Sequence, residues 1–101
     1  TVMLRMPNHP VALQLLRAVG PMAVSSANLH GQQPPTSAQA ARQQLGDAVE
    51  VYLDAGPAQL GEASTIVDLA HGRPRVLRAG AVATADVARV LGVAAEELER
   101  D

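Results

Sequence analysis

The chain has 101 residues, of which 48% are hydrophobic and 18% charged, with a formal net charge of −2. That is enough apolar content for the core of one soluble globular domain and excludes a disordered chain. There is no cysteine, no lysine, and Tyr52 is the only aromatic residue, which removes disulfides, thiolate nucleophiles, Schiff bases, the lysine of a phosphate-binding P-loop and nucleic-acid binding by aromatic stacking.

Thr1–Met6 reads as a strand closed by Pro7, and a chain that opens on a threonine directly in a strand reads as cut from something longer. Pro10 suits the first turn of a helix, with Asn8 or His9 as its cap. Ala12, Leu15, Leu16 and Val19 make one apolar helical face that Gly20 ends. Residues 21–24 form a short apolar strand, and it opens into the polar loop Ser25-Ser26-Ala27-Asn28-Leu29-His30-Gly31. Strand ends of this kind are where α/β proteins place ligands.

The stretch Gln32-Gln33-Pro34-Pro35 is a stiff extended connection. Thr36 with Gln39 has the form of a capping box, followed by a helix whose inward face is Ala38, Ala41 and Leu45 and which Gly46 closes. Val49, Val51 and Leu53 alternate as in a half-exposed strand. The glycine- and proline-bearing residues 54–63 read as a loop long enough to act as a flap. Ser64–Leu69 is a strand, His71-Gly72 a turn, and Arg75–Arg78 another strand. Thr84 can cap a helix through Leu91, with Asp86 in its first turn and Gly92 after it. Residues 94–100 read as a last, fraying helix. The expected architecture is α/β, a twisted mixed sheet with flanking helices, whose first strand has its partners upstream.

All eight cations are arginines, and residues 1–46 contain three of them and no acid. Such a distribution suits an anionic ligand near the amino-terminal half. Ser26 and Asn28 offer a hydroxyl, a carboxamide and successive backbone amides to such a ligand, yet both residue types are ordinary turn formers. Ser64 and Thr65 can bind a ligand or satisfy a sheet edge. Arg5 and Arg78 sit at strand ends and can clamp a carboxylate or phosphate, whereas Arg73 and Arg75 read as solvated. His9, His30 and His71 are too scattered for a metal cluster, and no nucleophile–base arrangement is legible.

Four blocks in order then resemble the YrdC-like family. They are Leu4-Arg5-Met6-Pro7-Asn8-His9-Pro10, residues 21–31, Ser64-Thr65-Ile66-Val67-Asp68, and Arg75-Val76-Leu77-Arg78-Ala79-Gly80-Ala81. The resemblance implies a YrdC-like fold incomplete at its amino-terminal side, with residues 1–101 a carboxy-terminal portion of the domain and residues 82–101 its terminal helical region. It implies a threonylcarbamoyl-AMP synthase reaction, in which L-threonine, bicarbonate and ATP, the last with Mg2+, yield threonylcarbamoyl-AMP and pyrophosphate for modification of tRNA. The partners so implied are these substrates, the tRNA threonylcarbamoyl-transfer machinery and double-stranded RNA or tRNA; the lack of a membrane-length apolar run or a signal-peptide pattern in the sequence separately leads to the expectation of a cytoplasmic protein without a membrane. Carried over by residue, Thr1, Ser26, Asn28 and Arg78 would contact ATP, and Arg5, Val24 and Ser64 would contact threonine. No catalytic nucleophile and no metal ligand is carried over.

This sequence departs from the family pattern at His30, Pro34 and Ala79, where the family has serine, serine and proline. The family's Lys-x-Arg element has no counterpart in a chain without lysine, so these residues by themselves are expected to be inactive. Two other functions fit related domains, namely a double-stranded RNA-binding module and carbamoyl transfer in hydrogenase maturation.

Overall fold

A computed structural model describes residues 1–59, 61 and 63–100. They form two compact units: Val2–Gln59, and Thr1 together with the described part of Leu60–Asp101.

In the first unit, Pro10 at N1 and a capping side chain before it start helix α1, Pro10–Val19. The cap is His9, whose Nδ1 accepts from the Ala12 amide at 3.3 Å. Ala12, Leu15 and Leu16 are half-buried with Leu13, while Val19 stays exposed. Gly20, at φ 82°, ends the helix and donates to the Leu16 carbonyl at 2.7 Å. Helix α2, Ala38–Leu45, begins one residue later than the capping box implies: Ser37, not Thr36, accepts from the Ala40 amide at 3.0 Å. Ala41 is buried, and a 3-10 turn, Gly46–Ala48, follows.

Three expected strands, at residues 1–6, 21–24 and 49–53, are irregular. A strand exists through a ladder, and none of the described residues supplies a ladder partner to any of the three. Val2, Met3, Leu4, Met6 and Val24 are all exposed as a result. In residues 49–53 the half-buried side chains include Tyr52 rather than Val51 and Leu53. Its hydroxyl donates to the Gly46 carbonyl at 2.7 Å, and Arg42 stacks 4.9 Å from its ring centre.

The second unit is built on a hairpin. Strands β1, Ile66–Asp68, and β2, Arg75–Arg78, pair antiparallel, with Ile66 opposite Arg78, Val67 opposite Val76 and Asp68 opposite Arg75. The skipped residue, Leu77, makes a bulge at the Ser64 end. Helix α3, Thr84–Leu91, starts from Ala83, so Thr84 is its first residue and not its cap. Gly92, left-handed at φ 72°, ends it, with Val93 donating to the Ala88 carbonyl at 3.1 Å. Helix α4, Ala95–Leu98, is shorter than the expected 94–100; Leu98 is 1% exposed and, with Ala88 at 4%, forms the core of this unit. The sheet seen is thus two-stranded, within an α/β arrangement whose strands in sequence far outnumber its formed ladder.

Arg73 and Arg75, expected to be solvated, both have partners. Arg73 donates to the Glu97 and Arg100 carbonyls at 2.9 and 2.8 Å, satisfying the open end of α4. Arg75 lies 3.6 Å from the Asp68 carboxylate.

Candidate functional site

Antiparallel pairing with a bulge brings Ser64, just before β1, beside Arg78, the last residue of β2. The Arg78 Nε–H donates to the Ser64 carbonyl at 2.9 Å, and one terminal nitrogen donates to the Ser64 hydroxyl oxygen at 3.0 Å. A guanidinium has five N–H donors, so two are committed and three remain. Because the Ser64 oxygen accepts from a cation, its own hydrogen is left to donate. The pair therefore offers three guanidinium N–H donors and the serine O–H, donors that suit a carboxylate or phosphate, while one lone pair of the serine oxygen stays open as an acceptor. Both residues are exposed.

The same hairpin carries a second polar group at its turn. Asp68 Oδ1 accepts from the Ala70 amide at 2.9 Å, while His71 Nδ1 lies 3.1 and 3.0 Å from the two carboxylate oxygens. The Ala70 amide above all, then His71 and Arg75, hold the Asp68 carboxyl below the ordinary carboxylate range. This group closes the turn.

In the other unit the loop 25–33 is shaped by its own amides and by α2. Asn28 Nδ2 donates to the Leu29 and Gln32 carbonyls at 2.9 and 3.1 Å. Gln44 of α2 clamps the loop from both sides, its Oε1 accepting from the Leu29 amide and its Nε2 donating to the Gln33 carbonyl, each at 2.9 Å. Asn28 Oδ1 is buried and has no partner among the described residues. Ser26 and Val24 are exposed on the approach to this loop, and Arg5 and Thr1 are exposed also. Of the seven residues singled out from the sequence, the hairpin brings Ser64 and Arg78 into contact; Arg5, Val24, Ser26 and Asn28 belong to the unit Val2–Gln59.

Sequence reasoning missed Gln44, which sits as one polar residue among several on α2, with no local signal for its reach to residues 29 and 33. For Thr65 it favoured a sheet edge over a ligand, and the structure agrees. That hydroxyl satisfies an edge, donating to the Val82 carbonyl at 2.6 Å and accepting from the Val82 amide at 3.0 Å. No group of three or more His, Asp or Glu side chains gathers among the described residues to hold a metal. None of the helices there is long and apolar enough to cross a membrane.

The hairpin's donor pair, on an α/β unit, has the chemistry to meet an anionic group. The family model Sua5/YciO/YrdC, described as telomere recombination, matches residues 1–80, and the chain belongs to that family. A Mycobacterium tuberculosis relative is 64% identical over 98 residues, which cover 97% of this chain and 45% of the relative. The Bacillus subtilis threonylcarbamoyl-AMP synthase is 39% identical over 93 residues, covering 91% of this chain and 27% of its own length. The crystal structure of Pyrococcus abyssi Sua5 complexed with L-threonine superposes with a TM-score of 0.68 at 35% identity, over 87% of this chain and 26% of that one. The chain thus spans less than half the length of these relatives. The YrdC-like α/β fold expected from the sequence is borne out by this superposition.

Proposed function

We propose that this chain is the carboxy-terminal portion of a YrdC-like domain and supplies part of the substrate site of a threonylcarbamoyl-AMP synthase. The observation that carries the reading is the Arg78–Ser64 pair, in which the arginine spends two donors on the serine and keeps three N–H groups for a ligand. Ser64 and Arg5, with the Val24 backbone, hold L-threonine; Thr1, Ser26, Asn28 and Arg78 hold ATP. The name of the Bacillus subtilis relative and the threonine complex of Pyrococcus abyssi Sua5 support this assignment.

The reaction needs placement and charge neutralisation more than a nucleophilic side chain. The threonine amine takes up bicarbonate with loss of water to give a carbamate, whose oxygen attacks the α-phosphorus of ATP while the bond to pyrophosphate breaks. Donors that face carboxylate and phosphate oxygens lower the repulsion between these two anions. Magnesium enters with ATP as part of the substrate, its ligands the phosphate oxygens and water. The product serves threonylcarbamoyl modification of tRNA in the cytoplasm through the transfer machinery that consumes it.

Binding of double-stranded RNA is the weaker reading. Arg75 and Arg89 are ion-paired with Asp68 and Asp86, which lowers the unpaired positive charge that phosphate neutralisation requires. The test is release of pyrophosphate from labelled ATP in the presence of threonine and bicarbonate. The 101 residues by themselves should release none above background, and the polypeptide extended to the length of its relatives should release it; failure of the extended polypeptide overturns the proposal.

A further inference from the structure

Seven of the eight glycines would have open space around an added Cβ, and six of those seven have positive φ angles; Gly80 alone is crowded, and it has no positive φ. A Cβ there would lie 2.2 Å from the Ala63 carbonyl oxygen, 2.6 Å from the Ser64 carbonyl carbon and 2.6 Å from the Thr65 nitrogen. All three are backbone atoms and cannot swing aside as a side-chain end can. Gly80 is therefore glycine for room, and the room lets the segment after Arg78 lie directly against the segment that carries Ser64.

Two further contacts hold those segments together. The Ala81 amide donates to the Ala63 carbonyl at 2.9 Å, which carries the antiparallel course of β1 and β2 beyond Ile66. The Thr65 hydroxyl then donates to and accepts from the backbone of Val82, as a strand neighbour would. Arg78 and Ser64 lie within this stitched region, so the chain on both sides of each is fixed. Free rotation of Arg78, whose long side chain is rich in rotamers, would otherwise cost entropy each time it met Ser64 or a ligand.

We infer that Thr65 and Gly80 are positioning residues for the substrate site: they lock residues 79–82 against 63–65 and so hold Arg78 on Ser64 with its remaining donors facing outward. Neither touches the ligand; each acts through the Arg78–Ser64 pair. The inference rests on the proposed synthase reading for what the pair receives, but not for the lock itself.

The intact polypeptide is the material for the test, with the Arg78 Nε–H followed by NMR hydrogen exchange in the absence of any ligand. In the parent this proton should exchange at least about tenfold more slowly than that of exposed Arg5, as expected for a donor held in a hydrogen bond to a carbonyl. Thr65→Ser keeps the hydroxyl and should keep both the slow exchange and the KM for threonine. Thr65→Val and Gly80→Ala should lose the protection and raise that KM about tenfold or more, the scale of one charge-assisted hydrogen bond. Equal exchange at Arg78 and Arg5 in the parent overturns the inference without any variant. So does a folded Thr65→Val or Gly80→Ala protein whose melting temperature falls while exchange and KM stay as in the parent. A parent with a slow Arg78 proton but no synthase activity would refute the synthase reading and leave the lock supported.

Discussion

A hydroxyl that accepts a hydrogen bond from a guanidinium keeps its proton for a third group, and this decides what Ser64 can do. Its neighbour Arg78 commits two donors to it and aims the rest elsewhere. Replacing Arg78 by Lys preserves charge but not the two-point hold on one residue, so Arg78→Lys should weaken binding of ATP by about tenfold or more in a titration. Asp68 supports a different prediction. Its carboxyl is held below the ordinary value by the Ala70 amide and His71, so its stabilising contribution is complete above about pH 4, the unfolded value, and is lost as pH falls through the lower folded value. Urea unfolding at a series of pH values should show this loss in the parent, and Asp68→Asn should be less stable at neutral pH with a flatter acid limb.

At the scale of elements, the helices were legible because their signals are local. Pro10 at the start of α1 and the glycines after α1, α2 and α3 stand where the structure uses them. Strands were legible only where both partners are in hand: the β1–β2 hairpin formed, and residues 1–6, 21–24 and 49–53 did not. Their alternation records a preference for a pleated, half-buried setting, and a ladder needs a second chain segment that no local pattern supplies. The capping box was off by one residue because Thr36 and Ser37 are both competent caps. In the site, Ser64 and Arg78 could be picked as donors, but not their mutual contact, which depends on the bulge.

Helix α4 has four residues, too few to be stable on its own, and survives through Leu98 and through Arg73 at its carbonyl end. Leu98→Ala should therefore cost about 2–5 kcal/mol by thermal or urea unfolding. Gln44→Ala should act elsewhere, freeing the Leu29 amide and the Gln33 carbonyl; hydrogen exchange at Leu29 should accelerate while α2 itself stays protected.

For the molecule as a whole, composition and structure agree on an unusual economy. Without cysteine or lysine, these residues have no thiolate or amine nucleophile, and the hairpin and the loop 25–33 each carry amides, hydroxyls or guanidinium groups. Apolar residues of 1–6 are exposed, and the chain covers less than half of each relative. Serine, the residue that accepts from Arg78, then gives the most direct test. In the polypeptide extended to the length of its relatives, pyrophosphate release should depend on threonine, bicarbonate and ATP together, and Ser64→Ala should raise the KM for threonine about tenfold or more. An unchanged KM in a folded Ser64→Ala protein, or release that needs no threonine, would contradict the account.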